Sequence, residues 1–288
     1  MDDLARHNRD RWDALARAGV SFAQSMLDLD ADAARRLVDP YGILGDVRGK
    51  EVLCLASGGG QQSVAFALLG ARATVLDLSD EQLDRDRAAA AHYGVTIDVV
   101  QGDMRDLSRF ADGRFDVVWH AYSINFVPEA LPVLREAARV LAPGGYYRIE
   151  FANPFVFEVD ERSWTGDGYL LRRPYVDGAE MEDTTWVIAR ENGTTFQVEG
   201  PREFRHLLSS VVNGMVAQGF VLLGLWEAES PDPNAAPGTW DHFAVVAPPF
   251  LTIWAVLRPD ALRRLTENAT EGIRRAERGG PRGRHDGL

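Results

Sequence analysis

The chain has 288 residues, 45% of them hydrophobic, enough to bury one large core or one domain carrying an insertion. Its formal net charge of -12 excludes a general binder of phosphate backbones, which needs clustered Lys and Arg, and points to a small molecule or a local protein partner. A single cysteine, Cys54, excludes an internal disulfide and a multi-thiolate metal site. No apolar run has membrane-spanning length and the acidic start MDDLARHNRD has no signal-peptide pattern, so a cytoplasmic protein with neither membrane nor nucleic-acid partner is expected.

A helix is expected around Trp12. Next, VLCL (Val52 to Leu55) reads as a buried strand and SVAFALLG (Ser63 to Gly70) as a helix closed by glycine, leaving Gly58, Gly59 and Gly60 as the turn between them. Bare backbone there allows positive φ and close approach of a ligand, and a helix start favours polar or anionic groups; a tight turn with no ligand accounts for the same residues. ATVLDL (Ala73 to Leu78), a helix Glu81 to Tyr93, VTIDVVQGD (Val95 to Asp103), FDVVWHAYSI (Phe115 to Ile124), a helix Glu129 to Leu141 stopped by Pro143-Gly144-Gly145, and YYRIEF (Tyr146 to Phe151) follow. This alternation predicts a mostly parallel α/β sheet with helices on both faces and ligands at the carboxyl ends of the strands.

Acidic residues stand at those ends. Asp77 closes the second strand, where a carboxylate accepts from both hydroxyls of a ribose; Ser79 and Gln82 form a capping box for the next helix, which frees Asp77 from that duty. Asp103 closes the third strand, with its carboxylate toward an adenine amino group and the Met104 N–H toward a ring nitrogen; a turn carboxylate is the alternative.

The ordered set VLCLASGGG, VLDLS, VVQGDMRDL, FDVVWHAYSINFV and VLAPGGYYRIEF resembles the class I S-adenosylmethionine-dependent methyltransferases over Val52 to Phe151. HNRDRWDALARAG, PREFRHLLSSVVNGMVAQGF and HFAVVAPPFLTIWAV resemble an uncharacterised bacterial branch of that superfamily. The resemblance implies a Rossmann-like seven-stranded sheet whose last strand, Phe250 to Leu257, runs antiparallel. It also implies Gly58 and Gly60 beside the methionine part of the cofactor, Asp77 on the ribose, and Asp103 with Met104 at the adenine. The full cofactor set expected for S-adenosylmethionine, and its product S-adenosylhomocysteine, is Ser57, Gly58, Gly59, Gly60, Gln62, Asp77, Leu78, Asp103, Met104, Trp119 and His120. Cys54 and Ala56 depart from the family pattern, which has an acid and a glycine there; Ser57, Gln61 and Gln62 are candidates for the missing acid's hold on the cofactor amino group, and Cys54 reads as packing.

On the acceptor side, WHAYSINF puts Trp119, His120, Tyr122 and Asn125 near the expected methyl group. His120 reads either as general base or as a residue packing the cofactor, and Tyr122 as an orienting hydroxyl or an aromatic face for the sulfonium. Asn153 to Gly200 is too long for an ordinary connection and reads as an inserted lid or hairpin, with Trp164, Tyr169 and Tyr175 toward the acceptor; a β-extension making a homodimer contact is the alternative. A helix from Pro201 to Gln218 carries Arg205 as an anion clamp and His206 as a second base, and His242 is a third candidate.

The expected organisation is a helical cap at 1–45, a cofactor core at 46–152, a lid at 153–200, the rest of the core at 201–278 and a disordered tail at 279–288, whose arginines are too few for nucleic acid. No metal motif occurs. The reading is methyl transfer to a small molecule. Methylation of a protein side chain, an NAD(P)-dependent oxidoreductase and a non-catalytic cofactor-binding module are the alternatives.

Overall fold

The computed structural model describes residues 1–20, 23–182, 184–189, 195–228 and 232–260. In chain order the elements are α1 (Asp3–Arg17), α2 (Ala31–Val38), β1 (Glu51–Leu55), α3 (Gln62–Leu68), β2 (Arg72–Asp77), α4 (Asp80–Tyr93), β3 (Asp98–Gln101), β4 (Phe115–His120), α5 (Ala130–Val140), β5 (Leu141–Ala152), β6 (Thr185–Ala189), β7 (Thr195–Glu199), α6 (Leu208–Ala217), β8 (Phe220–Glu227), α7 (Trp240–Val246) and β9 (Phe250–Leu257).

Seven strands form one sheet in the order β3-β2-β1-β4-β5-β9-β8. β1 to β5 pair in parallel, and β9 enters antiparallel between β5 and β8. The fold is therefore the expected α/β sheet, and β8 supplies a seventh strand that the sequence reading did not assign. Period-two alternation sends apolar residues to both faces. On one face Leu53, Val118, Tyr147 and Ile253 pack beneath α5 and α6 through Leu134, Val211 and Met215. On the other, Val52, Cys54, Val75 and Trp254 pack against α2 and α3 through Ala34, Val38, Ala65 and Phe66. Cys54, in the position of the family acid, is a fully buried member of that core, and burial pushes its thiol well up.

Two segments rise above the carboxyl ends of the strands. The stretch after β5 carries the antiparallel pair β6–β7, and α1 packs against this pair through Leu15, Trp12, Phe196 and Val198. Trp12 meets Trp186 and Phe126 edge to face, with ring centroids 5.8 and 5.4 Å apart, and Arg11 pairs with Glu199. Asn8 fastens α1 below: its buried amide donates to the Phe126 carbonyl and accepts from the Arg202 N–H at 2.8 Å.

The helix expected from Pro201 begins only at Leu208. Residues 201–207 are extended because their backbone is spent on a neighbouring chain segment: Met181 N–H donates to Glu203 O, Arg205 N–H to Ala179 O and Gly178 N–H to Arg205 O, each at 2.8 Å. The expected helix Asp260 to Arg275 and the tail from Gly279 lie outside the described residues beyond residue 260, and 229–231 of the Glu229 to Gly238 loop lie outside them too.

Candidate functional site

The glycine turn is pressed onto α4. A side chain at Gly58 would meet Gln82 Cβ at 2.7 Å and the Asp77 carboxyl at 3.0 Å; at Gly60, where φ is +74°, it would meet Ala89 Cβ at 2.8 Å and the Arg85 carbonyl at 2.9 Å. Two carboxylates hold the turn from below. Asp77 accepts from Gly58 N–H and Ser79 N–H, both at 2.9 Å. Asp86, wholly buried in α4, accepts from Gly59 N–H at 2.9 Å and from Ser63 Oγ, and burial pushes its carboxyl up to about 7. Burial also raises Asp77.

Ser79 caps α4 by accepting from Gln82 N–H, as the sequence suggests, but the return half of the capping box is absent. Asp77 accepts the Ser79 N–H instead, which leaves Gln82 Oε1 buried and without a partner beside Gly59. Asp77 is thus part of the helix start after all. With the Leu78 N–H also reaching it, three backbone donors face this carboxylate, which has about four lone-pair sites. Ser57 Oγ donates to Gln62 Oε1 at 2.9 Å, and Gln61 donates to the Gln24 carbonyl at 2.7 Å, which ties the turn to the segment after α1.

At the third strand end, Asp103 is engaged by its neighbour. Arg105 donates to both Asp103 oxygens and to both Asp2 oxygens, while Asp2 caps α1 through Ala5 N–H. These bonds hold the Asp2 carboxyl down at about 2. The start of α1 is so latched to the expected adenine end of the site, where Met104 is buried in the core.

The β4 residues split between the two faces. Trp119 turns toward α2: its indole N–H donates to the Val38 carbonyl at 3.1 Å and its ring lies 4.0 Å under the Arg148 guanidinium. Those bonds commit it to α2 rather than to the glycine turn, a correction to its expected place in the cofactor set. His120 points to the opposite face, fully buried, with Nδ1 2.8 Å from Tyr147 Oη and Nε2 without a partner. Burial, then the Arg148 charge, push it down to about 3, so it stays neutral and is a weak base; general-base duty and a cofactor contact are both corrected for His120. Asn125 is a buried staple, donating to Phe204 O and accepting from Ala152 N–H, both at 2.9 Å, and not an acceptor contact. His206 is likewise a staple: a carbonyl only accepts, so its Nε2, 2.9 Å from Ile124 O, carries the proton, and burial lowers its pKa.

Tyr122 follows β4 and donates to Glu203 Oε2 at 3.0 Å, while Trp186 Nε1 donates to Glu203 Oε1 at 3.2 Å. Glu203 is only 4% exposed, and burial pushes it up to about 7. It lines a cavity of about 630 Å³ together with Phe155, Phe157, Leu171, Trp186 and Arg205. Glu203 and Arg205 share this cavity because 201–207 is extended, so side chains two apart face one way while Phe204 and His206 face the other. Arg205 donates to the Pro174 and Phe157 carbonyls and lies 3.8 Å from Glu158, with its Nε unpartnered. Tyr175 stacks on Phe155 at the rim, centroids 4.9 Å apart. Trp164, Tyr169 and His242 come together in a separate aromatic cluster beside α7, with Tyr169 Oη 2.9 Å from His242 Nδ1. None of the three lines the cavity.

Residues 53–149 match the sequence family described as Methyltransferase domain. The chain is 34% identical over 239 residues to the Uncharacterized methyltransferase YbaJ of Bacillus subtilis (strain 168), an alignment that covers 79% of this chain and 91% of that protein. The chain is a class I S-adenosylmethionine-dependent methyltransferase. It is also 36% identical over 104 residues to the Ubiquinone biosynthesis O-methyltransferase of Shewanella halifaxensis (strain HAW-EB4), covering 36% of this chain and 44% of that protein. The fold is similar to the crystal structure of an S-adenosylmethionine dependent methyltransferase from Mesorhizobium loti, with a TM-score of 0.54 and 18% identity over 80% of this chain and 100% of that one.

The residues of this methyltransferase fit the cofactor its family uses. A glycine turn, a partly buried Asp77 with a lone-pair site to spare and an orphaned Gln82 Oε1 converge at the ends of β1 and β2. The sequence reading passed over Gln82 as a ligand group, and over Asp86 and Glu203 altogether. Asp86 lies mid-helix among charges, and nothing local says that the glycine turn descends on it. Glu203 was hidden by reading 201–207 as helix; REFRHL has no period-two alternation of polar and apolar residues that would have signalled an extended backbone. Among the described residues there is no helix long and apolar enough to cross a membrane, and no cluster of three His, Cys, Asp or Glu suited to a metal.

Proposed function

We propose that this methyltransferase acts on a small-molecule acceptor held in the cavity under the 153–200 segment. The observation that carries the reading is the link between Glu203 in the cavity wall and Tyr122 directly after β4, which joins the cavity to the strand ends where ligands of such sheets bind. When bound, S-adenosylmethionine supplies an electrophilic methyl carbon on a sulfonium. The chain's part is to hold and align. The Gly58 to Gly60 backbone and Ser57, Gln62 and Gln82 take the methionine side, Asp77 and Leu78 the ribose, and Asp103 and Met104 the adenine. Tyr122, Glu203 and Arg205 orient the acceptor, and Trp12, Trp186 and Phe126 close over the site and keep water out, which strengthens every polar contact inside. A cavity of this volume suits a compact ligand better than an extended peptide. The test is calorimetric titration with S-adenosylmethionine, S-adenosylhomocysteine and NADH, repeated on Asp77→Ala. Adenosyl ligands bind the natural chain, lose at least tenfold in the variant, and NADH gives no heat. Tight NADH binding without an adenosyl response overturns the assignment of the site.

A further inference from the structure

Glu203 is anomalous among the acids of the cavity. Glu158 lies 3.7 Å from Arg173 and 3.8 Å from Arg205, and Asp160 pairs with Arg162. Among the described residues, no Lys, Arg or His pairs with Glu203, although it is the most buried of the three. Arg205, two residues along and facing the same cavity, sends its guanidinium to the Pro174 and Phe157 carbonyls instead. A buried carboxylate with no counter-charge is costly, and a cation delivered into the cavity would recover that cost.

The two donors on Glu203 are neutral and come from aromatic residues. The Trp186 N–H can only donate, so Oε1 faces it as an acceptor, and Tyr122 fixes Oε2; the carboxylate is thereby held in one orientation with lone pairs left on both oxygens. Around it Trp186, Phe155 and Phe157 supply aromatic surface, which attracts a cation through the ring face. An acid fixed by aromatic donors, paired with no Lys, Arg or His among the described residues, and set beside the aromatic part of a cavity wall that is otherwise mixed polar and apolar is a receptor for an ammonium group.

We infer that the cavity is an amine subsite: Glu203 recognises the protonated amino group of an arylalkylamine acceptor, whose hydrocarbon part lies against Trp186, Phe155 and Phe157. The inference rests on the acceptor cavity proposed above and makes its class specific. A phenol or alcohol of the same shape lacks the charge that Glu203 selects.

The test is calorimetry on the protein saturated with S-adenosylhomocysteine, using 2-phenylethylamine and tryptamine beside their neutral counterparts 2-phenylethanol and tryptophol. The amines bind at least tenfold more tightly than the alcohols, and Glu203→Gln, which keeps shape and hydrogen bonding, removes that preference while leaving S-adenosylhomocysteine affinity within twofold. Equal binding of amines and alcohols, or no amine binding, overturns the inference, and this comparison needs no variant. A tenfold or greater loss of S-adenosylmethionine affinity in Glu203→Gln also overturns it, because the cation is then the cofactor's own. Failure of the natural chain to bind S-adenosylhomocysteine brings down the site assignment instead, which separates the two failures.

Discussion

Asp86→Asn tests how the glycine turn is held. Three donors reach the buried carboxyl, the N–H groups of Gly59 and Gly60 and the Ser63 hydroxyl, yet burial outweighs them and lifts it from 3.8 to about 7. A folded pKa above the unfolded one means that the neutral acid is favoured by folding. Its stabilisation is present in full below about pH 4 and is lost as the pH rises through about 7. At about 1.4 kcal/mol per pH unit the whole loss is roughly 4 kcal/mol, of which roughly 3 kcal/mol falls between pH 5 and pH 8. Asparagine never ionises. Its amide offers one acceptor oxygen where the carboxyl offers two, which costs about 1–3 kcal/mol at low pH. The variant is therefore equal to the natural chain or up to about 2 kcal/mol less stable at pH 5, and about 1–3 kcal/mol more stable than it at pH 8. Urea unfolding followed by tryptophan fluorescence at both pH values measures the difference. Glu203, also raised to about 7, and His120, lowered to about 3, titrate in both proteins and cancel. A difference that stays constant from pH 5 to pH 8 refutes the argument, because Asp86 then ionises alike in the folded and unfolded chains.

Gly60→Ala combines a left-handed φ with overlaps of 2.8 to 2.9 Å against Ala89, the Arg85 carbonyl and Ser25, and should cost about 2–4 kcal/mol in urea unfolding; Gly59→Ala, whose nearest contact is 3.6 Å away, should cost less, and equal costs would contradict the packing of the turn on α4. Ala56 sits at φ 45° where the family has glycine, so Ala56→Gly relieves about 1–2 kcal/mol of backbone strain against about 0.4–1 kcal/mol of lost unfolded-state restriction; thermal unfolding should shift upward, and a downward shift would show that the strain is absent. Asn8→Ala leaves the Arg202 N–H and the Phe126 carbonyl without their buried partner, at a cost of about 1–3 kcal/mol, and amide hydrogen exchange in α1 should quicken more than in β4; unchanged exchange in α1 would deny Asn8 its fastening role.

The sequence by itself determined the sheet. Apolar strands, glycine and proline stops and acids at strand ends are local signals, set by backbone sterics and burial periodicity, and they located β1 to β5 and the turn at Gly58 to Gly60; β9 was implied by the family resemblance, and β8 was not assigned. It also located Asp77 and Asp103, because a strand end is a fixed place in this architecture. Only the tertiary structure decided which partner each side chain took. Trp119, His120, Asn125 and His206 looked alike as polar or aromatic groups near one loop, but the face of the sheet and long-range backbone carbonyls from Val38, Phe204 and Ile124 claimed three of them and the hydroxyl of Tyr147 the fourth. The same holds for Glu203. Its segment is extended because residues 178–181 lie beside it and absorb its backbone hydrogen bonds, a pairing across the chain that no local propensity records, and that pairing alone turns its carboxylate into the cavity.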